Sequence, residues 1–165
     1  CISRLAHPAF YYPDFNPDTE ERGAFRLYKQ GENGEMKPLE SLKYLLISEK
    51  GCADTEHVHE LPTPDGRLPL KTTTFDHDAF IIDNQQVSKV VLESCEGEPF
   101  VSVEFDTPAL GLWSPAGLNA PFVCIEPWYG RCDRAGFTGE FSEKDLVNAV
   151  APGQSFRASY TIEVF

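Results

Sequence analysis

The sequence predicts an all-β sandwich with little helix, and three observations carry that expectation. Apolar and polar residues alternate with period two in several segments, 12 Gly and 13 Pro break the chain at short intervals, and no long 3.6-residue periodicity occurs. The chain has 165 residues, 41% of them hydrophobic and 12% aromatic, which is enough material for a packed core and excludes intrinsic disorder. Residues 1–165 are therefore expected to form one β-sandwich domain, or part of a larger one.

Taken in order, Ala24 to Lys29 reads as a strand that closes at the turn signal Gly31-Glu-Asn-Gly34. Glu40 to Glu49 fits a short helix or a strand equally well. Val87 to Ser94, Ala109 to Ser114 and Phe122 to Glu126 are strand candidates, rich in β-branched and aromatic residues and bounded by turn formers. Val101, Val103 and Phe105 alternate with Ser102, Glu104 and Asp106, which gives a strand with one buried face. Ser142 is placed to cap one short helical turn before Pro152-Gly153. The end of the chain alternates best. Phe156, Ala158, Tyr160, Ile162 and Val164 share one face, with Ser155, Arg157, Ser159, Thr161 and Glu163 on the other, and a half-buried strand is expected there. Residues 13–23 and 52–67 are polar and proline-bearing and are expected to be the most mobile loops.

Charge narrows the partners. Asp and Glu number 26 against 14 Lys and Arg, a net charge of −12, which repels phosphate backbones and anionic lipid heads. Neither nucleic acid nor a membrane surface is an expected partner, and apolar runs such as Tyr44 to Ile47 are far too short to span a bilayer. The five cysteines, Cys1, Cys52, Cys95, Cys124 and Cys132, are odd in number and contain no Cys-x-x-Cys pair. Free thiols in a reducing, cytoplasmic compartment are the expectation, with no signal peptide. The opening, Cys1-Ile-Ser-Arg-Leu-Ala6, leans apolar and lacks an initiator Met, so the chain is read as the continuation of a longer polypeptide.

Few residues are placed to do chemistry. Glu126 stands in the apolar run Phe122-Val-Cys-Ile-Glu-Pro-Trp-Tyr-Gly130, where an ionised carboxylate is costly unless paired. It is either a tuned general base or simply the last strand residue, pointing out before Pro127 turns the chain. Trp128 and Tyr129 suit either a sugar-stacking face or a buried aromatic corner. His7 precedes Pro8, which holds it extended or in a turn. Asp76 and Asp78 flank His77, on one face if extended, with solvated turn residues as the plainer reading. His57-Val-His59, with Gly51 upstream, matches the opening of a cupin metal motif. The expected following glutamate and the later Pro-x-Gly-x-x-His segment are missing, and a metal site needs three or more convergent ligands, so no metal is expected. No phosphate-cradling loop, nucleophile elbow or Cys–His pair is apparent.

In combination these segments resemble the aldose 1-epimerase (galactose mutarotase-like) family, most closely its LacX-like branch. Ala6-His-Pro-Ala-Phe10 is similar to the branch's Gly-His-Pro-Ala-Phe, and Phe75-Asp-His-Asp-Ala-Phe80 to its Phe-Asp-Asn-Asp-Ala-Leu. Gly111-Leu-Trp-Ser114 resembles Gly-Ile-Trp-Ser. Cys124-Ile-Glu-Pro-Trp-Tyr-Gly130 with Asp133 resembles Cys-Ile-Glu-Pro-Trp-x-Gly-x-x-Asp, the specific part of the match. Pro152-Gly-Gln-Ser-Phe156 completes it.

The resemblance implies a galactose mutarotase-like supersandwich, of which this is the C-terminal part. It implies Glu126 as general base, His7 as general acid and Asp76 or Asp78 as a sugar-binding aspartate, and Trp128 is a candidate stacking platform for the sugar on the reading of its own segment. The implied activity interconverts the α and β anomers of a hexose or hexose phosphate by ring opening, with no metal or cofactor. Family members run to nearly twice this length, and their first half carries a His-Gly segment and an Arg at the sugar site that nothing here matches. A missing N-terminal half, a companion chain or a homo-oligomer is therefore expected. Two other readings remain open: a non-catalytic carbohydrate-binding module and a metal-dependent cupin. Replacing Glu126 by Gln separates enzyme from module, and metal analysis addresses the third.

Overall fold

The computed structural model describes residues 7–48 and 50–165. Cys1 and the apolar opening up to Ala6 lie outside the described residues. The chain is nearly all β, as its periodicity requires. The strands are β1 (Ala9–Tyr11), β2 (Glu21–Gln30), β3 (Met36–Pro38), β4 (Ser41–Tyr44), β5 (His59–Pro62), β6 (Arg67–Lys71), β7 (Phe80–Ile82), β8 (Lys89–Glu93), β9 (Pro99–Phe105), β10 (Ala109–Trp113), β11 (Phe122–Trp128) and β12 (Tyr160–Val164). Every pairing between strands is antiparallel.

Two sheets face each other. One runs β1-β11-β10-β7, and the other runs β12-β9-β8-β2-β3 with β6 also on β2. The hairpin β4-β5 continues the first sheet through a bridge between Leu45 and Ile81. The segments joining β7 to β8 and β9 to β10 switch from one sheet to the other, so each sheet supplies one face of the core. Phe25, Leu27, Val90, Leu92, Val101 and Val103 from the larger sheet meet Ile82, Leu110, Leu112, Val123 and Ile125 from the smaller. Burying a side chain of this size stabilises by about 1.5–3 kcal/mol each.

Several sequence expectations are corrected. The segment read as helix or strand, Glu40 to Glu49, resolves toward strand where it is described, because β4 pairs with β5 and Leu45 and Ile47 make further bridges, while Glu49 lies outside the described residues. The two proposed loops are partly strand: 13–23 contains the start of β2, and 52–67 contains β5 and the start of β6. Their prolines fall where the ladder tolerates them. The turn at Ser142 is a single 3₁₀ turn, Phe141–Glu143, and the residue that caps it is Glu140, in a reciprocal capping box with Glu143.

The last strand departs most. It is ordered as strand only over Tyr160–Val164, and its apolar row is exposed rather than half-buried: Tyr160 43%, Ile162 44% and Val164 73%. These side chains pair in register with Phe105, Val103 and Val101, so they continue the core face of the sheet. The opposing sheet does not extend over them. Among the described residues, no helix is long and apolar enough to cross a membrane.

Candidate active site

The outer face of the smaller sheet gathers Glu126, Trp128 and His7. Side chains alternate across a strand, so Val123 and Ile125 point into the core while Cys124, Glu126 and Trp128 share the outer face. Antiparallel register then sets the neighbours. Gly111 lies opposite Glu126, Ile81 lies opposite Gly111, and Leu45 bridges Ile81. On the other side Ala9 pairs with Cys124, and the same register brings His7 beside Glu126. His7 Nδ1 is 2.8 Å from Glu126 Oε2.

Glu126 is 4% exposed, and β11 does not end there. The strand runs through Pro127, which pairs with Leu110, to Trp128, so the sequence reading of a chain turned by Pro127 is corrected. The reason is directional. Ile125 donates its N–H to the Pro8 carbonyl, toward β1, and position 127 faces the same way. The paired stretch of β1 stops at Ala9 opposite Cys124, so the missing proline N–H breaks no bond to β10.

The buried carboxylate is compensated. Trp128 Nε1 donates to Glu126 Oε2 at 3.1 Å, the same oxygen that faces His7. The Cys124 thiol hydrogen-bonds to the carboxylate from the other side along the strand. Burial, then the negative charge of Glu126 and that hydrogen bond, push the thiol up to about 12. Ionised groups buried in apolar surroundings persist when donors replace their hydration, and here three side chains do so.

The structure thus brings together His7, Glu126 and Trp128. Trp128 takes the geometry of a buried aromatic corner, 7% exposed, packed with Leu45, Ala53, Ile81 and Ala109. The sugar-stacking alternative would require an open ring face. Asp76 and Asp78 are not brought to this pair. Both are exposed on the turn before β7, two strands from β11, and Asp78 adopts a φ of 73° while its carboxylate accepts from the N–H of Ala79. Among the described residues no hydrogen bond or ion pair joins either to His7 or Glu126. The two imidazoles of the cupin-like stretch go separate ways. His57 Nδ1 contacts Asp54 at 2.9 Å, and the His59 ring stacks on Tyr44.

Two features of this face escaped the sequence. One is Gly111, which has no unusual backbone angle to betray it. The other is an ion cluster at one end of the face. Arg131, 4% exposed, holds Asp83 at 2.9 Å and Asp145 at 3.0 Å, and Arg134 also binds Asp145, at 2.6 Å. Burial raises the Asp83 carboxyl, against the pull of Arg131. Asp83 follows β7 directly and Arg131 lies in the loop after β11, so only the tertiary fold pairs them. The four described cysteines, Cys52, Cys95, Cys124 and Cys132, are free thiols.

The antiparallel sandwich is also the fold of galactose mutarotase-like proteins. The chain shares the fold of solved galactose mutarotase-like structures and is similar in sequence to LacX proteins. It superposes on the galactose mutarotase related enzyme of Lactobacillus acidophilus with a TM-score of 0.77 and 25% identity, over 99% of this chain and 53% of that one. A galactose mutarotase-like protein from Lactobacillus casei shares the fold, with a TM-score of 0.70 and 23% identity over 98% of this chain and 52% of the other. In sequence, 98 residues are 32% identical to the chromosomal LacX protein of Lactococcus lactis subsp. lactis, which is 59% of this chain and 32% of that protein. The plasmid-borne LacX protein matches equally. The chain spans about half the length of these solved structures and about a third of the curated relatives. No profile of a protein family matches it.

Proposed function

We propose that this chain carries the acid–base pair of an aldose 1-epimerase acting on a hexose or hexose phosphate. The observation that carries the reading is the 2.8 Å contact between His7 Nδ1 and the buried Glu126 carboxylate, on a strand held rigid by neighbours on both sides. Glu126 takes the proton of the anomeric hydroxyl as His7 delivers one to the ring oxygen, and the C1–O5 bond breaks to give the open aldehyde. Rotation about C1–C2 and reclosure, with the two roles exchanged, yield the other anomer. With Nδ1 turned to Glu126, the proton offered to the ring oxygen sits on Nε2. The two reacting oxygens of a pyranose share one carbon, which suits an acid and a base that already touch. Each such proton transfer contributes on the order of 10²–10⁴-fold, and orientation supplies the rest. Asp76 or Asp78 would contribute to sugar binding, and no metal or cofactor enters the reaction.

The family members' other half is expected to complete the site, and the exposed row of β12 is a surface such a half would cover. Turnover by the 165-residue chain alone is accordingly expected to be slow and its hexose binding weak. A segment supplying the His and Arg of that half should restore both. NMR of freshly dissolved α-glucose and α-galactose reads the interconversion directly. Any rate above buffer should vanish in Glu126→Gln while sugar binding survives. Undiminished turnover in Glu126→Gln would remove the proposed base, and binding without turnover in every context would favour a carbohydrate-binding module. The site is read as cytoplasmic from its free thiols.

A further inference from the structure

We propose that Trp128, seated on the bare backbone of Gly111, is a positioning residue that fixes the carboxylate of Glu126. This rests on the reading of Glu126 as the general base. It assigns the indole a place behind the base, not against the sugar.

The geometry is unusual for a strand. Side chains at i and i+2 on one face are separated by about 7 Å along the backbone and normally run parallel to each other. A hydrogen bond between them needs one side chain to lean along the strand. The indole does this by leaning across onto β10. Gly111 is the register partner of Glu126, so the space beside Glu126 on the neighbouring strand is empty, and the indole fills it. A Cβ built on Gly111 would lie 2.4 Å from Cζ2 of Trp128, 2.8 Å from Cε2 and 2.9 Å from Cη2. No real side chain fits there. Nor is Gly111 needed for its backbone angle, since it is absent from the residues with positive φ. Its one structural use at this place is to leave room for the ring.

The rest of the indole's seat is equally specific. Ala109, the register partner of Trp128, is small, and Leu45, Ala53 and Ile81 close around the ring. Packed this way the ring cannot turn its N–H elsewhere, and the N–H meets Oε2 at 3.1 Å between two buried side chains. A donor held by packing, aimed at an ionised acceptor, keeps one carboxylate rotamer. The segments Gly111-Leu-Trp-Ser114 and Cys124-Ile-Glu-Pro-Trp128 therefore work as one unit: a glycine on one strand makes room for a tryptophan on the next, which holds the glutamate two residues before it.

The test uses the full chain and two readouts. The sequence contains 2 tryptophans, so the indole N–H region of a ¹⁵N spectrum has two signals, assigned with Trp113→Phe. The Trp128 signal is expected downfield and slow to exchange. In Glu126→Gln it should move upfield and exchange faster. Gly111→Ala, which leaves Glu126 untouched, should move it the same way. Trp128→Phe keeps a ring in the seat and removes only the donor, so it covers the case in which Gly111→Ala fails to fold. On anomer interconversion, measured with the complementing segment that restores turnover, Trp128→Phe should lower kcat by about 10- to 100-fold, the worth of one hydrogen bond to a charged group, with KM nearly unchanged. An indole signal indifferent to Glu126→Gln overturns the proposal, as does Trp128→Phe with wild-type kcat. Turnover that survives Glu126→Gln refutes the general-base reading instead, and the indole signal still decides whether Trp128 holds the carboxylate.

Discussion

Replacing Arg131 by Met should be among the most damaging single changes outside the core. Its side chain is 4% exposed and faces Asp83, 17% exposed, and Asp145, 32% exposed, at 2.9 and 3.0 Å. Methionine fills a similar volume, so packing is largely kept and the loss is electrostatic. Removing one member of a buried ion pair leaves an uncompensated charge, which costs about 3–5 kcal/mol. For a domain of this size that corresponds to a fall in Tm of roughly 6–20 °C.

The change also has a pH signature. Burial already raises the Asp83 carboxyl above its ordinary value and Arg131 opposes that rise, so removing Arg131 raises it further. A carboxyl raised in the folded state binds its proton more tightly there than in the unfolded chain. Its stabilising share is fully present below the unfolded value and is lost as pH climbs through the folded one. The cost of Arg131→Met should therefore be largest at neutral pH and shrink on acidification toward pH 4. Thermal unfolding of both proteins between pH 4 and 8 measures this. A loss below about 1 kcal/mol at pH 7, the range of an exposed pair, would refute the claim that this cluster is buried and mutually dependent.

Two further outcomes follow from burial alone. Cys124, buried and pushed up to about 12, should resist alkylation of the folded protein at pH 8, while exposed Cys95 reacts first among the described cysteines; mass spectrometry of peptides after brief iodoacetamide treatment distinguishes them. Ile162→Lys, on the exposed row of β12, should change unfolding free energy by no more than about 0.5 kcal/mol while reducing self-association seen by sedimentation, since it charges an unprotected apolar edge. A large loss of stability in that variant would show that the row is packed in the isolated chain.

The sequence by itself determined the strands that alternate or are richly β-branched: Val101 to Phe105, Val87 to Ser94 and Ala109 to Ser114 all contain strands in the structure. Period-two burial is a local property and can be read without knowing the partner strand. It also marked Glu126, because a carboxylate in an apolar run is a local anomaly with a large energetic cost. Burial by a partner was beyond it. The pattern from Phe156 to Val164 says which face is apolar but not whether anything covers it, and the described chain leaves Tyr160, Ile162 and Val164 open. Short strands such as β1 and β3 carry too few residues to declare a period and are fixed by their neighbours' hydrogen bonds. Only the tertiary structure decided what stands beside Glu126. His7 lies 119 positions away in sequence and reaches it at 2.8 Å through the β1–β11 register. Gly111 matters because the β10–β11 register puts its missing side chain where the Trp128 ring must lie. Register between strands is set by the packing of the whole sheet, and so the neighbours of the candidate base belong to the fold and not to any one segment.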